Sequence, residues 1–265
     1  MNLVQKIRAR GWRALGAAAF RRLASVLDAP SPAPAAGPAR PAGTERWSGY
    51  LERLNYAIPG WLDRGNIDAM SHALRHLPGD APIVEIGSFH GLSTCVLTHL
   101  KQVHAVKNQL FTCDRWASGE PDPTKKIDGS AALTYEEFSV FGRDSFVRNA
   151  GFFCRSDLPH TVELFSDEFF AAWRMGETMD DVFGRRAELG GPIAFCYIDG
   201  NHSYDFAKRD FENTDQHLVT GGFILFDDSS DGNVWADVGR VVAEVGQSGR
   251  YALVGKYPNY LFQKR

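Results

Sequence analysis

The chain has 265 residues, of which 44% are hydrophobic and 23% are charged, and its formal net charge is −3. This is the composition of a globular protein with enough apolar residues for a sizeable core, and it excludes collagen-like and wholly disordered chains. The longest apolar runs are far shorter than the ~20 residues that a membrane-spanning helix needs. We therefore expect a soluble or surface-attached protein.

The cysteines indicate the cellular compartment. Their positions form neither a CxxC motif nor a paired Cys/His spacing, which argues against a disulfide scaffold and a zinc site. These residues are Cys95, Cys113, Cys154 and Cys196. A reducing cytoplasm fits this pattern best.

The first 43 residues carry seven basic residues and one acid, a local charge of +6 that leaves −9 for the rest of the chain. Within 3–27, apolar residues recur at steps of three to four, with arginines between them. This pattern predicts a basic amphipathic helix over 1–28 that binds an anionic membrane surface or a partner. The alternative is a poorly ordered leader that keeps the protein soluble.

A stretch rich in proline, alanine and glycine follows the basic segment. Such a composition cannot bury a core and favours an extended conformation. It predicts a linker over 29–46 and a folded domain over 47–265.

The domain begins with two helical patterns, around 48–57 and 65–77, and then alternates apolar strands with helices. Strands are predicted at 82–87, 109–114, 161–166, 192–199, 221–227, 251–257 and 260–264, and helices at 92–104, 144–154, 167–175, 203–218 and 234–246. Near-continuous apolar strands separated by helices indicate an α/β fold with a mostly parallel, doubly wound sheet. The turn signal Pro258-Asn259 predicts an antiparallel hairpin at the C-terminal end.

The stretch 115–160 is too long for an ordinary α/β connection of about 2–6 residues. Its first part is polar and rich in turn residues, and its later part is aromatic. This predicts an insertion that forms a lid over a pocket. The alternative is a surface elaboration without a role at the site.

A glycine-bearing turn, Glu85–Ser93, leads from the first strand into a helix. Such turns bring backbone amides and a helix N-terminus close to a ligand. The dinucleotide motif GxGxxG is not met, because Phe89 stands where its second glycine would be, and this argues against NAD. Glu85 suits an ammonium group, and Asp114, after the second strand, suits a ribose diol unless it only caps a turn.

This pattern resembles the class I S-adenosylmethionine-dependent methyltransferases, with a turn of the E/DxGxxxGxS type after strand one and an acid after strand two. The resemblance spans about 80–265 and implies a Rossmann-like, seven-stranded sheet. It implies that Asp114 holds the ribose and that Ser166, at the end of strand three, borders the adenine. The residues expected around the methionine part are Glu85, Gly87, Ser88, Gly91 and Ser93.

Three acids follow the fourth and fifth strands, Asp199 on one and Asp227 with Asp228 on the other. At one edge of a parallel sheet they would repel one another unless they are protonated, hydrogen-bonded or neutralised by a cation. Carboxylate oxygens suit Mg²⁺ or a related divalent ion. Alternatively, Asp199 caps a helix and the other two acids form a turn.

These segments resemble metal-dependent O-methyltransferases of natural-product and sugar modification, including the macrocin and aminocoumarin sugar types. The resemblance implies that Asp199, Asp227 and Asp228 bind the metal. His202 is a candidate general base near neutral pH, although it could instead hydrogen-bond the adjacent turn. Asp199 is the other candidate for the proton.

The sequence therefore predicts an S-adenosylmethionine-dependent, Mg²⁺-assisted O-methyltransferase that acts on a hydroxyl of a small molecule or a sugar. The alternatives are an NAD-linked sugar oxidoreductase and a non-catalytic cofactor-binding module of the same fold. We expect no nucleic-acid partner, because the folded part carries −9 rather than clustered basic residues.

Overall fold

The computed structural model describes residues 49–117 and 122–265. The predicted N-terminal helix over 1–28 and the predicted linker over 29–46 lie outside these residues. The described chain begins with two helices, α1 (Gly49–Ala57) and α2 (Arg64–Arg75), as the sequence predicted.

Seven strands form one sheet. Its members in chain order are β1 (Ile83–Ile86), β2 (Leu110–Cys113), β3 (His160–Val162), β6 (Ile193–Ile198), β7 (Leu218–Phe226), β8 (Tyr251–Lys256) and β9 (Tyr260–Lys264). They lie in the order β3-β2-β1-β6-β7-β9-β8. Strands β3, β2, β1, β6 and β7 are parallel to one another, whereas β9 runs antiparallel to both β7 and β8. The predicted mostly parallel sheet with a C-terminal hairpin is confirmed.

Helices cover both faces of the sheet because successive strand residues point to opposite sides. On one face, strand residues such as Val84 pack with helices α5 (Ser166–Met175), α6 (Tyr204–His217) and α7 (Ala236–Gln247). On the other face, Ile83 and its neighbours pack with α1, α2, α3 (Leu92–Val103) and α4 (Tyr135–Phe153). Among the described residues, none of the helices is long and apolar enough to cross a membrane.

The insertion differs from the expected course. Helix α4 begins at Tyr135 and not at 144, because Thr134 forms a capping box with Glu137: the Glu137 N–H donates to the Thr134 hydroxyl at 3.2 Å, and Glu137 accepts the Thr134 N–H at 2.9 Å. This box starts the helix nine residues early.

Two further elements depart from the prediction. The sequence did not predict a separate antiparallel hairpin, β4 (Thr178–Asp180) with β5 (Arg186–Glu188). Strand β3 ends at Val162, so Ser166 is the first residue of α5 and not the last residue of the third strand.

The parallel strands place the residues that follow them at one edge of the sheet. Gly87, directly after β1, has a φ of +84°, and a Cβ built on it would lie 2.0 Å from the carbonyl oxygen of Asp199, which follows β6. Only glycine permits both this conformation and this backbone contact. The turn after β1 and the acid after β6 are therefore in direct contact.

We predict that Gly65→Ala destabilises the fold. A Cβ on Gly65, in α2, would lie 1.3 Å from the carbonyl oxygen of Tyr257 beside the β8–β9 turn. We expect a loss of about 2–3 kcal/mol in the free energy of unfolding, measured by urea denaturation. The matched control is Gly239→Ala in α7, where nothing lies within 4 Å of the added Cβ, so stability should rise by up to about 1 kcal/mol. Equal stability of the two variants would contradict the packing argument.

Candidate active site

A cleft lies at the carboxyl edge of the sheet. Its walls come from residues 59–62, from the turn after β1, and from the residues that follow β2, β6 and β7. The sequence did not indicate the segment 59–62. The predicted site residues that line the cleft are Gly87, Ser88, Ser93, Asp114, Asp199, His202, Asp227 and Asp228.

Asp114 holds the turn after β1. Its Oδ2 accepts the backbone N–H groups of Ser88 and Phe89, both at 2.8 Å, and its Oδ1 accepts that of Trp116 at 2.6 Å. This is the turn-capping role that the sequence left open. A carboxylate has about four acceptor positions, and among the described residues Oδ1 uses only one of its two. The ribose-binding role of Asp114 stays a prediction.

Aromatic rings surround the turn. Phe89 has a φ of +43°, which is uncommon for a residue with a side chain, and its carbonyl accepts the indole N–H of Trp116 at 2.6 Å. The Phe89 ring stacks on His90 with centroids 3.8 Å apart and on Trp61 at 5.7 Å. This stack occupies the place where the dinucleotide motif requires a glycine.

Glu85 does not line the cleft but lies beneath the turn, where it is fully buried. Thr94 donates its hydroxyl to Oε2 at 2.5 Å, whereas Oε1 has no hydrogen-bond partner among the described residues. Burial raises the pKa of Glu85 to about 7, and hydroxyl groups of Ser93 and Thr94 oppose that rise. The hydroxyl of Ser88 is also buried without a partner in the described part of the chain. Among the described residues, Glu85 and Ser88 thus each have one unsatisfied polar atom.

Two acids and a histidine form a cluster at the ends of β6 and β7. The ligand atoms of Asp199, His202 and Asp228 all lie within 4.8 Å of one another. The Nε2 of His202 is 2.8 Å from Oδ2 of Asp228 and 4.0 Å from Oδ1 of Asp199. Ligands of one divalent ion at about 2.0–2.4 Å would have similar spacings. The donor set fits a metal, with His202 in the group.

Asp227 is not part of this cluster. It is 7% exposed, and its Oδ1 accepts the side-chain amides of Asn66 (2.7 Å) and Asn259 (2.5 Å) together with the N–H of Asp228 (2.9 Å). Its Oδ2 accepts the hydroxyl of Tyr197 at 2.6 Å. The structure therefore separates Asp227 from the other two acids that the sequence grouped with it, because its oxygens are engaged by buried donors.

Negative charge accumulates in the cleft. Burial, followed by the charges of Asp227 and Asp228, holds the pKa of Asp199 well above its usual range. Burial also raises the pKa of Asp227. Among the described residues that line the cleft there is no lysine or arginine. A bound cation would relieve this repulsion.

Besides Glu85, two further predicted cofactor residues lie outside the cleft lining. Gly91 begins α3 with a φ of +89° and packs against the ring of Phe146. Ser166 hydrogen-bonds the buried Asp210 of α6. Their cofactor roles stay predictions.

We predict that Glu85 makes stability depend on pH. Its pKa in the folded chain, about 7, exceeds the ordinary value of 4.5, so between these pH values the folded state holds a proton that the unfolded chain releases. The free energy of unfolding must then fall as the pH rises through this window. Glu85→Gln removes this contribution, so urea denaturation at pH 4.5 and 8 should show the variant gaining roughly 3 kcal/mol relative to the wild type. The control is Glu188→Gln, at an exposed residue; parallel profiles for Glu85→Gln and the wild type would refute the argument.

Comparisons with known proteins find a curated relative and several similar solved structures. One curated relative, "Uncharacterized protein R132" of Acanthamoeba polyphaga mimivirus, is 25% identical over 189 residues, 68% of this chain and 69% of that protein. Similar solved structures include the O-methyltransferase NovP (16% identity, 76% of this chain and 80% of that chain, TM-score 0.47). Another is the SAH-bound methyltransferase PaMTH1 of Podospora anserina (13% identity, 93% and 95% coverage, TM-score 0.49).

A match to a family model identifies the family of this chain. Residues 84–229, more than half of the chain, match the family model described as "Methyltransferase domain". The matched region begins in β1 and ends just after β7, so it contains the glycine turn, Asp114 and the cluster of Asp199, His202 and Asp228. The chain thus belongs to the methyltransferase-domain family, and the predicted S-adenosylmethionine-dependent methyltransferase is confirmed.

Proposed function

We propose that the protein transfers a methyl group from S-adenosylmethionine to a hydroxyl oxygen of a small molecule or a sugar, with the help of a divalent cation. One observation carries this proposal. A single cleft is lined both by the glycine turn with Asp114 and by the cluster of Asp199, His202 and Asp228. A donor and an activated oxygen could therefore meet in it.

The chemistry of the turn suits the methyl donor. S-adenosylmethionine carries a sulfonium and an ammonium group, and a cleft lined by carboxylates attracts positive charge. The hydroxyl of Ser88, which lines the cleft and has no hydrogen-bond partner among the described residues, would be satisfied by a polar group of the methionine part. The free acceptor position on Oδ1 of Asp114 would take a ribose hydroxyl.

Asp199, His202 and Asp228 would hold the divalent cation. A bound divalent ion lowers the pKa of an acceptor hydroxyl and orients its oxygen. We keep Mg²⁺ as the predicted ion, but the imidazole nitrogen of His202 also suits Mn²⁺, which accepts nitrogen ligands more readily. Asp227 contributes indirectly, because it accepts the backbone N–H of Asp228.

We assign the proton of the acceptor hydroxyl to Asp199. The Nε2 of His202 points into the cluster, so in this arrangement His202 is a ligand more readily than a base. A carboxylate has two oxygens, so Asp199 would offer one to the cation and accept the proton with the other. Methyl transfer is then an in-line displacement, in which the oxygen forms a bond to the methyl carbon while the carbon–sulfur bond breaks.

The turn after β1 argues against the first alternative function, an NAD-linked oxidoreductase. An NAD-linked oxidoreductase needs a close approach of a pyrophosphate, whereas Phe89 occupies that place and the family is one of methyltransferases. A non-catalytic module would bind the donor without turnover.

We also propose that the protein is cytoplasmic and has no nucleic-acid partner. The cysteine pattern and the net charge of the folded part support this proposal.

We predict that Asp228→Asn removes the response to divalent ions but spares donor binding. Methyl transfer by the wild type should be lost on chelation and restored by Mg²⁺ or Mn²⁺, and the variant should be at least about 100-fold less active. Its affinity for S-adenosylhomocysteine, measured by calorimetry, should change by less than about threefold. Full activity of the variant in the presence of a chelator would rule out the metal site.

We predict that Asp114→Asn weakens binding of the methyl donor. The side-chain amide cannot accept the turn N–H groups and a ribose hydroxyl as a carboxylate does, so the affinity for S-adenosylhomocysteine should fall at least about tenfold. The wild type should show no binding of NAD in the same calorimeter. Binding of NAD, or unchanged affinity of the variant for S-adenosylhomocysteine, would contradict the assigned donor site.

A further inference from the structure

A second cavity of about 500 Å³ lies beside the acid cluster. Two chain segments line it, residues 201–203 after β6 and residues 234–237 at the start of α7. His202 lines both this cavity and the cleft described above. The two spaces are therefore neighbours across the residue that faces Asp228.

Trp235 gives this cavity an aromatic wall. Its ring stacks on the imidazole of His202, with centroids 4.5 Å apart and planes at 19°, yet the residue is 45% exposed. The loop that carries it is fixed to the cluster, because Asn233 accepts the N–H of Trp235 at 3.1 Å and donates its amide to Asp228 at 3.2 Å. A molecule held against Trp235 would thus have a defined position relative to Asp228.

The charge of the cavity restricts what it can bind. Among the described residues that line it there is no lysine or arginine, and Asp237 adds a carboxylate. Cations of nearby segments are engaged elsewhere: Arg240 lies over the ring of Tyr204 at 3.8 Å, and Lys256 pairs with Asp231 at 2.8 Å. A phosphate group placed here would find no lysine or arginine side chain among these described lining residues, and Asp237 already accepts the N–H of Tyr204 at the start of α6 at 3.3 Å, an arrangement that favours uncharged ligands.

The remaining lining groups are suited to hydroxyl groups. Asn201 and Ser203 supply an amide and a hydroxyl, while Val234 and Trp235 supply exposed apolar surface. A few polar groups around an aromatic wall are what a ring compound with hydroxyl substituents requires.

Building on the proposed function, we propose that this cavity is the acceptor subsite, and that Trp235 and Asp237 select uncharged hydroxylated ring compounds over their phosphorylated counterparts. Trp235 positions the acceptor ring, and the carboxylate of Asp237 disfavours anions. The class of acceptor is thus set outside the donor cleft.

The test uses the full-length protein and a panel of neutral glycosides and phenols, each paired with its phosphate ester. Methyl transfer is followed with labelled S-adenosylmethionine, and the affinity for S-adenosylhomocysteine is measured in parallel. We expect the neutral member of each pair that reacts to have a kcat/KM at least about tenfold higher than that of its ester.

Variants separate acceptor binding from other effects. Trp235→Ala should raise the KM for the acceptor about tenfold and leave the affinity for S-adenosylhomocysteine unchanged. Trp235→Tyr should bring the KM most of the way back to the wild-type value. Asp237→Lys should reduce the ratio of kcat/KM between each neutral compound and its ester. Phe152→Ala and Asp180→Lys are matched controls, because both residues are exposed and line neither cavity.

Three outcomes would overturn the inference: a wild type that prefers the esters, a Trp235→Ala variant with an unchanged KM, or a panel without any methylated member although S-adenosylhomocysteine binds. Failure of the wild type to bind S-adenosylhomocysteine would instead contradict the proposed function itself.

Discussion

The buried carboxylate of Asp227 holds the site together. Three of its four donors come from distant parts of the fold: Asn66 in the helix before the sheet, Tyr197 in a central strand and Asn259 in the turn of the C-terminal hairpin. The fourth is the backbone N–H of the next residue, Asp228. A buried carboxylate without partners would cost several kcal/mol, so these elements must be in place together. The position of the cluster follows from this network, because Asp228 is its next residue.

A second constraint is the sign of the charge at the carboxyl edge of the sheet. Glu85, Asp199 and Asp227 are buried or partly buried there, and burial raises the pKa of each. No lysine or arginine lines the cleft in the described part of the chain. Repulsion between these carboxylates destabilises this edge of the sheet, and a positively charged donor and a divalent ion would reduce that repulsion.

Much of this could be predicted from the sequence. Apolar runs located the sheet strands, and parallel strands bring the acids that follow them to one edge, which is why Asp114, Asp199 and Asp228 line one cleft. The pattern Thr134-x-x-Glu137 is a capping box that marks the start of α4, nine residues before the predicted start. The partners of Asp227 could not be predicted, because Asn66 and Asn259 are 193 residues apart and only the folded chain joins them. The three-residue strands β4 and β5 are too short for a periodic signal.

The contact between Asn259 and Asp227 has a consequence for biosynthesis. Every strand that carries an acid of the cluster is made before Asn259, yet the amide of that asparagine donates to Asp227 at 2.5 Å. A nascent chain on the ribosome can pair its parallel strands early, but it cannot complete the hydrogen bonding of Asp227 until the closing hairpin has emerged and joined the edge of the sheet. The order of translation therefore leaves the hydrogen bonds around Asp227 incomplete until Asn259 has been made.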